Sequence, residues 1–107
     1  MEDQDINRSL LHFEHHLRQA NRTYINPVIE NLSVGGLSPI IDLVARSRAR
    51  YLKQVYELCK KYENTDAFPT KEELETLRVI RACFLDLVDG SKSFEISIQR
   101  GYLDLKP

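Results

Sequence analysis

Three stretches of this chain carry apolar residues at mixed spacings of three and four, and that rhythm leaves few folds open. In the first, Ile6, Leu10, Phe13, Leu17, Ala20 and Tyr24 follow one another at steps of 4, 3, 4, 3 and 4. A helix turning once in 3.6 residues gathers such steps into one stripe, whereas a strand would scatter them over both faces. The second stretch repeats the pattern with Ile41, Val44, Tyr51, Leu52, Val55, Leu58, Cys59 and Tyr62. The third carries Leu74, Leu77, Ile80, Phe84, Leu87 and Val88. Each predicts an amphipathic helix with one face meant to be dry.

Turn and cap residues divide the stretches. The first helix is expected over 5–25, where Pro27 interrupts it; Asn26 and Pro27 read as the cap and first residue of a short extra helix over 27–32. Gly35-Gly36 marks a loop, and Ser38-Pro39 opens a second main helix over 39–63. Thr70-Lys71-Glu72-Glu73 has the spacing of a capping box and starts the third. Beyond Asp89-Gly90-Ser91 two templates compete. Phe94-Glu95-Ile96-Ser97-Ile98-Gln99 alternates like a strand, while Ser91, Phe94, Ile98 and Tyr102 continue the helical stripe. A lone two-stranded hairpin is marginal in water, so helix is expected over 71–100, with 101–107 an extended tail.

With 107 residues the chain is too short for two independent cores. Short links between long helices make neighbours antiparallel. We therefore expect one all-α domain over 1–107: an elongated antiparallel three-helix bundle with a short extra helix after Pro27.

Charge bounds the function. Sixteen acids against fifteen bases give a net −1, which attracts neither nucleic acid nor anionic membrane in bulk. No apolar run is long enough to span a bilayer, and the acidic start (Glu2, Asp3, Asp5) lacks the apolar segment of a leader peptide. Two cysteines, Cys59 and Cys83, make no disulfide framework; pairing the second and third helices about 64–69 sets them roughly 12 Å apart in level. A cytoplasmic setting is expected.

Several residues stand out against this background. His12 and His16 lie one turn apart, the spacing for two metal ligands on one helix side, but the sequence names no further ligand and predicts no cofactor. By segment, residues 38–63 carry +3 while 1–37 and 64–107 carry −2 each, so the second helix is locally basic. Arg46, Arg50 and Lys53 lie on its outer face, open to phosphates or to an acidic protein. No aromatic residue interleaves them, which disfavours nucleic acid.

Arg48 falls inside the apolar arc, where its guanidinium must snorkel, pair or meet a partner. The same register sets it level with residue 86, too far from the comparably placed Glu95 for a direct contact. Tyr51 and Tyr56 lie nearby, and tyrosine and arginine are the enriched contact types of interfaces. Among the carboxylates, Glu72-Glu73 is explained by capping and the Asp86/Asp89 pair by solvation; neither forms an acid–base constellation. The expectation is a non-catalytic protein–protein interaction module, self-associating as a homodimer through Arg48, Tyr51, Tyr56, Arg46, Arg50 and Lys53. An adaptor or a small inhibitor or immunity-type protein fits that description. A nucleic-acid accessory protein using the basic face and a metal-binding bundle at His12/His16 are the alternatives.

Overall fold

The structure is a computed structural model that describes residues 2–107. The chain is all-α, with three helices and no strand among the described residues. Helix α1 spans Asp3–Ile25, α2 Ser38–Tyr62 and α3 Lys71–Gln99, within two residues of the expected bounds. By their internal contacts the residues group into two compact units, Ser38–Lys92 and Met1–Leu37 with Ser93–Pro107.

The first of these is a helical hairpin of α2 and the larger part of α3. Its register can be read from side chains: Tyr62 reaches Glu73, and the Tyr51 ring stacks on Phe84 at 5.8 Å and 14°. Both pairs obey one antiparallel register, which sets position 48 level with about residue 87, as the length of the 64–69 link requires. Leu58 and Ile80 are its buried residues. The capping box forms reciprocally: Glu73 N donates to Thr70 Oγ1 (3.1 Å) and Thr70 N donates to Glu73 Oε1 (3.0 Å). Asn64 takes a positive φ of 56° where the chain leaves α2, a conformation asparagine tolerates better than most residues.

The other unit holds α1, the 26–37 connection and the end of α3 with its tail. Two expectations fail in the connection. The short helix over 27–32 does not form: a single 3-10 turn, Asn26–Val28, is followed by an extended Ile29 and by Asn31 at φ 58°. Asn26 does not cap it. It continues in the helical conformation as the C-cap of α1, and its side-chain oxygen accepts from the backbone N–H of Asp104 (3.0 Å). Ser38 itself begins α2, directly after a second 3-10 turn, Gly35–Leu37. There Ser33 does the capping, its Oγ accepting from Gly36 N (3.1 Å).

Helix α3 runs through Gly90 to Gln99 and ends in a Schellman motif. Gly101 stands at φ 76°, Tyr102 N donates to Ser97 O (2.8 Å), and Gly101 N donates to Ile98 O (3.1 Å). The tail that follows is extended but well anchored. Tyr102 and Leu103 are buried, and Lys106 N donates to Leu32 O (2.8 Å) in an isolated parallel bridge with Ser33.

Candidate partner-binding surface

Apolar periodicity promised three dry faces, and the structure leaves much of them wet. Helix α1 has no buried residue. Along its stripe Leu10 is 54% exposed and Phe13 64%, with Ile6 and Leu17 above 40%. On α2 the residues facing α3 are half-buried (Val44, Tyr51, Val55, Tyr62) or buried (Leu58), as a two-helix hairpin allows. A quarter-turn away lies a second apolar strip of Ile41, Leu52, Tyr56 and Cys59, all exposed, Tyr56 at 65%. Cys59 was expected in the dry arc, which is too broad for one neighbouring helix to cover. It and Cys83 are free thiols.

Near the hairpin turn this strip opens into an apolar groove of about 320 Å³, walled by Val55, Cys59, Phe68, Pro69, Leu74 and Leu77. Phe68 stands at its lip, 79% exposed. The floor is held in shape by Glu73, whose Oε1 accepts from Thr70 N and the Tyr62 hydroxyl while Oε2 accepts from Lys61 Nζ (2.9 Å). These donors, Tyr62 first and then Lys61, draw the Glu73 pKa down from 4.5 to about 2. In return Glu73 raises the pKa of Tyr62 and of Lys61.

The residues singled out by sequence do not form one patch. Tyr51 lies in the helix–helix seam against Phe84. The Arg48 guanidinium lies over the same ring, 5.3 Å from its centroid, and makes no ion pair among the described residues. Its place on an apolar arc therefore has a local account: the cation rests on an aromatic face. Arg46 and Lys53 are loosely paired with Asp42 (3.8 Å) and Glu57 (3.9 Å), each one turn along the same helix. Arg50 is exposed and makes no ion pair among the described residues. Tyr56 alone of the six belongs to the open apolar strip.

His12, His15 and His16 are exposed on α1. No group of three or more His, Cys, Asp or Glu side chains that could hold a metal occurs among the described residues.

In the unit that contains α1, the C-terminal tail supplies what sequence reasoning missed. Arg22 grips Asp104 with two parallel bonds of 2.8 Å and donates a third to Gly101 O (3.0 Å). The Arg22 guanidinium beside it holds the Asp104 carboxyl below its usual range. Tyr102 is buried, and the Arg100 and Asn21 side chains pull its hydroxyl below the ordinary phenol value. The one available signal was Gly101, whose place after a helical stripe foretold a Schellman turn with an apolar residue following it. A cleft of about 330 Å³ beside Tyr102 is lined by Glu14, Leu17, Arg18 and Arg100. It brings both signs of charge together and presents no nucleophile–base pair.

No helix among the described residues is long and apolar enough to cross a membrane. No known protein family, curated protein or solved structure matches the chain.

Proposed function

We propose that the chain is a non-catalytic protein–protein interaction module that self-associates, of the kind that serves as an adaptor or as a small inhibitor or immunity-type protein. The observation that carries this reading is the open stripe of α1, an amphipathic helix with no residue buried. Single exposed leucines are ordinary on protein surfaces; a stripe of them on one helix face is an interface signature. Completing the burial of Ile6, Leu10, Phe13 and Leu17 is worth on the order of 4 kcal/mol, at roughly half of the 1.5–3 kcal/mol that a full apolar side chain gives. That is a large fraction of the stability of a small domain.

The test is light scattering on a sizing column across a wide range of chain concentration. A dimeric mass that falls toward the monomer on dilution is expected. A monomer at the highest concentration would remove self-association and leave only a foreign partner for the stripe.

The basic outer face of α2 supports the nucleic-acid reading less well. Arg46, Lys53 and Lys60 each have a carboxylate within 4 Å, which lowers the charge they offer to phosphates. A random duplex left unshifted at low salt would dispose of it, because backbone binding is strongest there.

A further inference from the structure

The cleft beside Tyr102 lies wholly within the unit that holds α1, the 26–37 connection and the end of α3. Its volume of about 330 Å³ has room for a small molecule, since ligand pockets begin at roughly 300 Å³. Glu14, Leu17 and Arg18 line it from α1, and Arg100 and Tyr102 from the turn after α3. Those two elements are tied to each other by several bonds. Arg22 donates to Gly101 O (3.0 Å) and to both oxygens of Asp104 (2.8 Å each), and Asn26 Oδ1 accepts from Asp104 N (3.0 Å). The frame presets the spacing of the two walls, which lowers what a ligand must spend on ordering them.

Charge in this unit is unevenly matched. Asp104 is taken up by Arg22, Glu95 accepts from Gln99 Nε2 (3.3 Å), and Lys106 Nζ donates to Asn31 Oδ1. Arg18 and Arg100 are exposed and make no ion pair among the described residues. Glu14 stands one turn before Arg18 and lines the same cleft, yet the two form no ion pair. Two guanidiniums against one carboxylate leave the lining at a formal +1. A cation just beyond α3 also answers that helix's dipole, which accounts for Arg100 but not for Arg18 on α1. The buried Tyr102 hydroxyl registers the excess: Arg100 and Asn21 lower its pKa, and the charge of Arg18 adds to theirs.

We propose that this cleft binds a small oxyanion, a carboxylate or phosphate group, between the Arg18 and Arg100 guanidiniums and the Tyr102 hydroxyl. Guanidinium forks match the oxygens of either group, and a phenol can donate a further bond. Leu17 offers apolar contact to the carbon part of such a ligand. An anion seated there also offsets the mutual repulsion of the two arginines. Glu14 is the competitor, repelling the ligand and attracting Arg18 across one helical turn. The site goes beyond the self-association reading and does not depend on it.

The test is an NMR titration of the full chain that follows the Nε–H signals of Arg18 and Arg100 and the ring of Tyr102. Sodium phosphate is added in one arm and sodium acetate in the other, with sodium chloride holding the ionic strength constant. Saturable shifts at these three residues are expected. Saturation by phosphate alone assigns a phosphate ligand; saturation by acetate assigns a carboxylate. Arg18→Gln and Arg100→Gln, both at exposed positions, should each weaken binding at least tenfold while the amide spectrum stays native elsewhere. Glu14→Gln should tighten it severalfold, and this variant carries the test by itself where an arginine replacement fails to fold. Shifts that do not saturate in either arm overturn the site. Binding that survives both arginine replacements in folded chains, or that Glu14→Gln fails to tighten, overturns it as well.

Discussion

Glu73 concentrates three functions in two oxygens: it completes the cap of α3, binds Tyr62 and binds Lys61. Because its pKa is lowered from 4.5 to about 2, its contribution to stability is whole above about pH 4.5 and is lost as the pH falls toward 2. Asp104, held down by Arg22, titrates in the same sense. Urea midpoints measured between pH 6 and 2.5 should therefore fall less steeply for Glu73→Gln than for the native chain. Equal slopes would show that Glu73 is not an acid-sensitive latch. The other half of the cap is neutral. Thr70→Ala should cost about 1 kcal/mol near neutral pH, read as a lowering of the urea midpoint.

At the scale of the elements, two glycines of the α3 region should respond with opposite signs. Gly90 is inside the helix with nothing within 4 Å of where a Cβ would sit, so Gly90→Ala should stabilise by about 0.5–1 kcal/mol. Gly101 is equally uncrowded but stands at φ 76°, so Gly101→Ala should cost about 1–2 kcal/mol through backbone conformation alone. Denaturant titrations of the two variants check both; matching signs would contradict the assigned end of α3. The helices themselves were legible in the sequence because steps of three and four, a Thr-x-x-Glu box and Gly101 are local signals. The 27–32 segment was misread for a related reason. Asn26-Pro27 is a good helix opening in isolation, but the Asn26 side chain is engaged by Asp104, 78 residues away, which no local rule can see. Tyr102 and Leu103 were read as tail for want of the same information. Leu103→Ala should cost about 2–3 kcal/mol, in the range of a leucine truncated in a core, and destabilise the 1–37/93–107 unit first, as amide exchange would show.

At the scale of the whole molecule, periodicity revealed which face of each helix is apolar but not whose atoms cover it. A stripe reads the same whether its cover comes from the same chain or another, so the expected dry seam was correct in direction and wrong for α1 in extent. Only Tyr56 of the anticipated contact residues lies on the open strip, since Tyr51 and Arg48 are claimed by Phe84 through a register that had to be built before it could be read. If pairing contributes to stability, the thermal midpoint of the native chain should rise by several degrees over a roughly hundredfold increase in concentration, and that of Leu10→Asp/Phe13→Asp should not move. The clasp of Arg22 on Asp104 also bears on synthesis. A ribosome makes α1 first, yet the partners that pin its end emerge only after some eighty further residues have left the tunnel. For that interval the end of α1 lacks the partners that pin it.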